Sequence, residues 1–211
     1  MDFCTKTRKP INIDYAKALV IDRSGKKYKS MVCLELEGVL FKSFKFNNIV
    51  NVPKAWREGL IDVNYVQNDI LEHKVLIERP GAAELLVELN KYCEIMIYSY
   101  LPEAFIEEAL LRLSIAQGDP DFCTDDELEK GEAYYGRYIW SRDQCVKDGE
   151  NYLKSLGILS DFSDDNINDI WLIDNKSELV DFPSHVVSVS DFLGDPEDKD
   201  LYRIMEEIFI N

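Results

Sequence analysis

The sequence predicts an α/β fold in which an open parallel sheet carries helices on both faces. Short apolar runs alternate along the chain with helical patterns, and the runs are apolar at nearly every position, which indicates strands buried on both faces. The 211 residues, 46% of them hydrophobic, suffice for one substantial core. We therefore expect one α/β domain whose ligand crevice opens at the carboxyl ends of the strands.

Four strands and three helices follow from these patterns. The predicted strands are Met31 to Leu36, Glu94 to Tyr98, Ile170 to Ile173 and Val186 to Val189. Apolar residues recur at three- and four-residue intervals in the predicted helices, which are Gly81 to Tyr92, Pro102 to Leu113 and Leu201 to Ile210. Pro80 and Pro102 stand at the starts of two of these helices, where proline is favoured.

Three further segments interrupt or precede this pattern. Residues 44–78 hold short apolar pieces in polar sequence, and we expect a small β-insert over the crevice. Residues 114–133 are rich in acidic residues and predict a solvated loop. Residues 1–30 carry eight basic and three acidic residues, a net charge of +5 against −21 for residues 31–211. We expect residues 1–30 to form a basic extension separate from the α/β domain of residues 31–211.

The net charge and the cysteine content indicate which kinds of binding partner and which cellular environment to expect for this chain. The net charge of −16 argues against duplex nucleic acid, because affinity for a duplex comes mainly from Lys and Arg, and it favours basic protein partners. Five cysteines without a C-x-x-C spacing indicate a reducing, intracellular environment. No run approaches the ~20 apolar residues of a membrane span, and the amino terminus lacks the apolar region of a secretory signal.

Two glutamates close the first predicted strand. Glu35 and Glu37 are two residues apart, so an extended backbone would turn both carboxylates to one side, and Gly38 lets the chain leave the strand after them. A strand buried on both faces does not carry two carboxylates without a reason. We expect these two side chains to lie in the crevice.

Polar side chains also stand at the other predicted strand ends. Ser99 follows the second strand, and Lys154 offers a positive charge for the same place. Asp174 and Asn175 follow Ile170 to Ile173 and offer the hard oxygen ligands that Mg²⁺ prefers. Taken alone, a Ser after a strand is usually a turn residue and a lone Lys is usually solvated, while Asp174-Asn175 fits a turn and a metal site equally well. Their order and spacing together favour an active site.

The segment Leu34-Glu35-Leu36-Glu37-Gly38-Val39 resembles the first motif of the haloacid dehalogenase-like phosphatases, D-x-D-x-T/V, with Glu in place of both Asp residues. Further stretches resemble one branch of that superfamily, which includes the RNA polymerase II C-terminal-domain phosphatases and the presequence receptor of the mitochondrial inner-membrane translocase. These stretches, in the family's order, are Ser43 to Phe46, Arg79 to Gly81, Arg137 to Trp140, Asn151 to Lys154 and Ile173 to Asn175.

The resemblance implies a parallel α/β sheet with a small β-insert, Mg²⁺-dependent phosphatase activity on phosphoserine peptides, and a role for each candidate residue. Glu35 replaces the aspartyl nucleophile and Glu37 the general acid/base. By the same resemblance Ser99 and Lys154 bind phosphate, and Glu35, Asp174 and Asn175 hold Mg²⁺ if it is retained. Covalent attack requires the reacting atoms about 3 to 3.5 Å apart, and ~1 Å of misplacement can cost ~10²-fold, which is the size of one extra methylene.

Two functions are therefore weighed. The first is a catalytically impaired phosphatase-like domain that binds or scaffolds protein partners, such as basic peptides or subunits of a larger assembly; the resemblance favours a mitochondrial location over a nuclear or cytoplasmic one. The second is an active Mg²⁺-dependent protein-serine phosphatase with Glu35 as nucleophile. Whether Mg²⁺ or phosphate still binds stays open, because Lys154 would also be satisfied by an ion pair with Glu35 or Glu37 that joins the strand ends.

Overall fold

The chain alternates strands and helices in the order that the sequence predicts. The computed structural model describes residues 21–22, 30–46, 48, 52–112, 139–163 and 166–210. The strands there are β1 (Ile21–Asp22), β2 (Met31–Leu34), β3 (Phe41–Lys45), β4 (Leu60–Gln67), β5 (Ile70–Glu78), β6 (Glu94–Tyr98), β7 (Ile139–Trp140), β8 (Val146–Asp148), β9 (Asn151–Leu153), β10 (Ile170–Asp174), β11 (Val186–Ser188) and β12 (Phe209–Ile210). The α-helices there are α1 (Ala82–Asn90), α2 (Glu103–Arg112), α3 (Leu156–Ser163) and α4 (Asp200–Ile208).

A five-stranded parallel sheet forms the centre of the fold, in the order β11-β10-β2-β6-β7. All four predicted strands belong to it, so the predicted parallel sheet is confirmed. The first strand ends at Leu34 rather than at the predicted Leu36. Glu35 and Glu37 therefore lie in the loop that leaves the sheet, and the two-residue alternation of a strand does not apply to them.

Helices cover both faces of this sheet, as predicted. Side chains on one face, such as Val32 and Leu34, pack in a core with α1, α2 and α4. Side chains on the other face, such as Met31 and Cys33, pack against α3. Because strand residues alternate between faces, a strand enclosed in this way is apolar at every position.

The predicted β-insert is a three-stranded antiparallel sheet of order β3-β5-β4. It begins at Phe41, three residues before the predicted boundary at residue 44. Strands β4 and β5 are joined at Asn68 and Asp69, which both have positive φ, the conformation of a tight hairpin turn. Tyr65 of the insert packs on Phe105 of α2, with ring centroids 4.9 Å apart, so the insert shares the main core.

The predicted carboxyl end of the last helix, Ile210, is wrong. It stops at Ile208, and Phe209 and Ile210 pair in parallel with Ile21 and Asp22. Most of the predicted basic extension 1–30 and all of the predicted acidic loop 114–133 lie outside the described residues. No helix within the described ranges is both long and apolar enough to cross a bilayer.

Candidate functional site

Loops at the carboxyl edge of the parallel sheet bring four of the six predicted residues into one buried group. Glu35 follows β2, Ser99 follows β6, and Asp174 ends β10. Lys154 follows β9, and its backbone N–H donates to the carbonyl of Leu179, 2.9 Å away, which holds it beside the sheet. We call Glu35, Ser99, Lys154 and Asp174 the Glu35 cluster.

The carboxylate of Glu35 accepts hydrogen bonds from five donors. Its backbone is fixed at the sheet by a 3.1 Å hydrogen bond from its N–H to the carbonyl of Ile173. Its Oε1 accepts from the backbone N–H of Leu36 at 2.7 Å, the backbone N–H of Glu37 at 3.2 Å and the Ser99 hydroxyl at 2.5 Å, and its Oε2 accepts from Lys154 Nζ and from the backbone N–H of Tyr100 at 3.4 Å. We call these five donors the anion pocket. Both carboxylate oxygens of Glu35 are fully engaged.

Lys154 is the cation of the cluster. Its Nζ donates to Glu35 Oε2 and to Asp174 Oδ2, the second at 2.5 Å. The other oxygen of Asp174 accepts from the backbone N–H of Lys176 at 2.7 Å. The ring of Tyr100 contacts both ammonium groups, with its centroid 5.9 Å from Lys154 Nζ and 4.3 Å from Lys176 Nζ. Lys154 therefore joins the ends of β2 and β10.

Water has almost no access to these charges. The side chains of Glu35, Lys154 and Asp174 are 0%, 4% and 3% exposed. Burial raises the pKa of Glu35, and the nearby charge of Lys154 only partly opposes this effect. Burial alone would lower the pKa of Lys154, but the carboxylates of Glu35 and Asp174 outweigh burial and hold that pKa above its usual value. The cluster thus depends on mutual pairing of its charges.

Glu37 lies outside the Glu35 cluster. Its carboxylate accepts from the backbone N–H of Ser43, at 3.1 and 3.2 Å for its two oxygens, and forms an ion pair with Lys42 at 3.2 Å. The two glutamate carboxylates therefore have different hydrogen-bond partners, because β2 ends before Glu35 and Glu37 lies beside the first strand of the insert.

Asn175 is also held apart from the ion pairs. Its Nδ2 donates to Asp191 Oδ1 at 2.8 Å, while its buried Oδ1 has no hydrogen-bond partner. Gly38 packs directly against this pair: a Cβ at residue 38 would lie 2.3 Å from Asp191 Oδ1 and 2.4 Å from Asn175 Nδ2. Gly38 also has φ +81°, a conformation that strains any other residue, so the path of this loop favours glycine.

The predicted Mg²⁺ ligands do not fit the ion in this arrangement. The two oxygens of Glu35 already accept five hydrogen bonds, and Lys154 supplies the positive charge between Glu35 and Asp174. Only Asn175 Oδ1 is an unused oxygen among the three predicted ligands. In the described part of the chain, no group of three or more His, Cys, Asp or Glu side chains is arranged to hold a metal ion.

Arg79 is a buried charge for which the sequence analysis assigned no role. Its guanidinium donates to Asp198 at 2.8 and 3.0 Å, to the carbonyl and hydroxyl of Ser190, each at 3.0 Å, and to the carbonyl of Gly38 at 3.3 Å. Asp200 lies 3.7 Å from it. We call Arg79, Ser190, Asp198 and Asp200 the Arg79 cluster. The sequence signal for Arg79 is its place in the family-like stretch Arg79 to Gly81, which follows the apolar run Val75 to Ile77.

Comparison with known families agrees with this architecture. The sequence profile of the family described as "NLI interacting factor-like phosphatase" matches residues 30–209. The chain belongs to this family. The resemblance to the haloacid dehalogenase-like branch that contains the C-terminal-domain phosphatases and the translocase receptor is thereby confirmed.

A curated relative is the mitochondrial import inner membrane translocase subunit tim50 of Aspergillus fumigatus. It is 28% identical over 131 residues, which are 62% of this chain and 22% of the relative. The chain thus matches about a fifth of the length of that protein.

Two solved structures of the RNA polymerase II CTD phosphatase Fcp1 share the fold. A variant of fission yeast Fcp1 bound to beryllium fluoride has a TM-score of 0.57 and 15% identity, over 78% of this chain and 42% of the other. A second Fcp1 structure has the same TM-score and identity, over 85% of this chain and 48% of the other. This similarity confirms the predicted α/β fold.

Proposed function

We propose that this chain is a catalytically impaired phosphatase-like domain that serves as a protein-binding subunit of a larger mitochondrial assembly. One observation carries the loss of catalysis: the carboxylate at the nucleophile position, that of Glu35, is bound by Ser99 and Lys154, the residues that the family resemblance assigns to phosphate.

The geometry opposes nucleophilic attack in two ways. A carboxylate attacks phosphorus only when an oxygen lone pair faces the phosphorus in line, about 3 to 3.5 Å away. The oxygens of Glu35 instead accept five hydrogen bonds, and a substrate phosphate would compete with Glu35 for the same donors. The proton carrier is diverted as well, because Glu37 is bound by Ser43 and Lys42.

Two observations support a protein-binding role: the similarity to the translocase subunit and the net negative charge of the chain. The relative is named as a subunit of the mitochondrial import inner membrane translocase, which supports protein partners and a mitochondrial location for this chain. The net charge of −16 would attract basic peptides or basic faces of neighbouring subunits over several ångströms, speeding their association at low salt. The proposed partners are therefore basic peptides or subunits of one assembly.

Hydrolysis of a phosphoserine peptide with Mg²⁺ present tests the loss of catalysis. We expect no hydrolysis by the wild-type chain above the rate of a Glu35→Ala control. The double substitution Glu35→Asp with Glu37→Asp is the matched gain-of-function variant, since it shortens both side chains and keeps both charges. Efficient hydrolysis by the wild-type chain that disappears in Glu35→Ala would overturn the proposal.

A second candidate, an active protein-serine phosphatase that uses Glu35, is favoured by one observation: Ser99, Lys154 and Asp174 all lie around Glu35. Beryllofluoride, which mimics a phosphoryl group on a carboxylate, separates the candidates. The second candidate requires a beryllofluoride adduct on Glu35 of the wild-type chain with Mg²⁺. We expect none by ¹⁹F NMR.

Affinity purification of the chain from its native source tests the binding role. We expect subunits of a mitochondrial membrane assembly to copurify, with retention that weakens as ionic strength rises. Recovery of the chain alone from mitochondria, or its location in the nucleus with a transcription complex, would contradict the proposed assembly.

A further inference from the structure

A groove lies between the β-insert and the helices α1 and α4. It has a volume of about 810 Å³, and its lining comes from residues at the start of β4, the end of β5 and the starts of α1 and α4. The four residues of the Glu35 cluster do not line it. We call this space the insert groove. Most of its walls are apolar or aromatic, and the large side chains there are Trp56, Leu60, Ile61, Ile77, Pro80 and Tyr202.

Two aromatic side chains line the insert groove, one from the insert and one from α4. The ring of Trp56 packs against a small core that includes Val52 and Phe192. The backbone of Gly194 lies so close to this ring that a Cβ at residue 194 would be 3.4 Å from it. Tyr202 is 39% exposed. Because Trp and Tyr are enriched among the residues that anchor protein partners, an accessible pair of them indicates a docking surface.

The accessible charge of the insert groove is negative. The charged residues of its lining are Glu78, Arg79 and Glu84. Arg79 is fully buried and already paired with Asp198. Glu84 is exposed, accepts a hydrogen bond from the Tyr202 hydroxyl at 3.2 Å, and has no ion-pair partner among the described residues. A cation on a bound segment would therefore meet a carboxylate that is not yet neutralised.

We propose that the insert groove is a docking site for a basic protein segment in which a bulky apolar side chain lies next to a lysine or arginine. The apolar side chain contacts Trp56 and Tyr202, and the cation pairs with Glu84. A groove of about 810 Å³ takes a short segment rather than a folded domain. The inference rests on the proposed function for the basic character of the partner, and it places that partner away from the Glu35 cluster.

Binding of a synthetic peptide to the full chain tests the proposal. The probe is a fluorescein-labelled peptide of leucine, alanine and arginine, and fluorescence anisotropy at low salt gives its Kd. Two control peptides replace its arginines by glutamate or its leucines by serine. We expect both controls to bind at least about tenfold more weakly, because the groove requires an apolar anchor and a cation together.

Matched variants of the chain assign the contacts. Tyr202→Ala should weaken the peptide Kd about tenfold, because it removes an anchor, whereas Tyr202→Phe keeps the ring and should change the Kd less than about twofold. Glu84→Gln should weaken it about two- to fivefold, as expected for an exposed ion pair. Glu107→Gln removes the same charge from α2, at the border of a different cavity, and should leave the Kd unchanged.

The tryptophan side chains report where the peptide binds. Trp140 and Trp171 pack in or against the cores of the parallel sheet, whereas Trp56 lines the insert groove. In ¹H–¹⁵N spectra of the full chain, with the Trp56 signal assigned through Trp56→Phe, the peptide should shift the indole N–H of Trp56. The indole signals of Trp140 and Trp171 should stay in place.

Several results would overturn the inference. They are no binding of the arginine peptide, an unchanged Kd in a folded Tyr202→Ala, equal losses in Glu84→Gln and Glu107→Gln, and indole shifts that omit Trp56. If Tyr202→Ala does not fold, Glu84→Gln and the indole shifts decide. Hydrolysis of a phosphopeptide by the wild-type chain would overturn the proposed loss of catalysis and leave this site standing, whereas failure of the peptide to bind would leave the loss of catalysis untouched.

Discussion

Two buried charge clusters in this molecule differ in their access to water. In the Arg79 cluster the guanidinium is fully buried, but its partners Asp198 and Asp200 are 18% and 14% exposed. In the Glu35 cluster both carboxylates and the ammonium are almost entirely buried. An ion that can rehydrate tolerates the loss of its partner, whereas a fully buried ion does not. The comparison therefore predicts different responses to the same kind of substitution.

The pKa values in the two clusters shift in opposite directions. Burial raises the pKa of Glu35 despite the charge of Lys154. Burial also opposes ionisation of Asp200, but hydrogen bonds from Ser190 and the charge of Arg203 outweigh it, and the pKa of Asp200 is lowered. Ser190 and the neighbouring Arg203 therefore stabilise the ionised carboxylate of Asp200, while the Glu35 cluster holds a carboxylate that is costly to ionise.

The largest effect is expected for Lys154→Met. The substitution leaves the carboxylates of Glu35 and Asp174 buried without a cation, and losing one partner of a buried pair costs about 3 to 5 kcal/mol. Urea unfolding at pH 7 measures this free energy. Lys176→Met is the control, because Lys176 is partly exposed; equal losses for the two variants would contradict the assigned role of Lys154.

Arg79→Met should cost less, about 2 kcal/mol, because Asp198 and Asp200 can turn to water once the guanidinium is gone. The remaining cost comes from the carbonyls of Gly38 and Ser190, which lose their donor. The same urea experiment gives the value. A loss as large as that of Lys154→Met would show that exposure does not separate the two clusters.

The pH dependence of stability should differ in sign between two matched variants, Glu35→Gln and Asp200→Asn. The pKa of Glu35 is raised, so its favourable contribution is complete below its unfolded pKa and is lost as pH rises through the folded value. The pKa of Asp200 is lowered, so its contribution is present above its unfolded pKa and is lost as pH falls through the folded value.

Unfolding free energies measured from pH 3 to pH 8 should show this contrast. The stability of the wild-type chain relative to Glu35→Gln should fall as pH rises, by about 1.4 kcal/mol for each unit by which the pKa of Glu35 is raised. The stability of the wild-type chain relative to Asp200→Asn should increase as pH rises over the same range. Parallel curves for the two variants would contradict the opposite pKa shifts.

Ser99→Ala is expected to cost about 1 kcal/mol, since it removes one of five hydrogen bonds to Glu35 and leaves the ion pairs in place. Differential scanning calorimetry measures the change. A loss comparable to that of Lys154→Met would mean that the hydroxyl, rather than the ammonium, dominates the cluster.

The smallest effect is expected for Mg²⁺, which should not raise the unfolding midpoint of the wild-type chain, because Lys154 already pairs with Glu35 and Asp174. Ca²⁺ at the same ionic strength is the control for general salt effects. A Mg²⁺-specific gain that disappears in Asp174→Asn would contradict the ammonium assignment.

The sequence predicted the sheet and the location of the cluster because both follow from local pattern. Strand β6 was predicted with its observed bounds, since Glu94 to Tyr98 is a continuous apolar run after a single charge. Ser99 and Asp174 could be placed because parallel strands end at one edge of a sheet. A strand that is a continuous apolar run bounded by charged or turn residues can be predicted from its own sequence, without information on the residues that pack against it.

Contacts between distant residues were beyond such patterns. Arg79 pairs with Asp198, 119 residues away, and nothing near either residue indicates the other. Phe209 and Ile210 continue a helical pattern but pair with Ile21 and Asp22, so tertiary pairing decides their conformation. Glu35 lies in a loop after β2, and its contacts depend on where its side chain extends from that loop. The alternating pattern of a strand cannot predict this direction.

The most direct test is an experimental structure of the wild-type chain at high resolution, crystallised with phosphate and Mg²⁺. The account predicts the Glu35 carboxylate within hydrogen-bonding distance of Ser99 and Lys154, with phosphate absent from those donors. A phosphate on Ser99 and Lys154, with Glu35 turned toward a Mg²⁺ ion shared with Asp174, would contradict it.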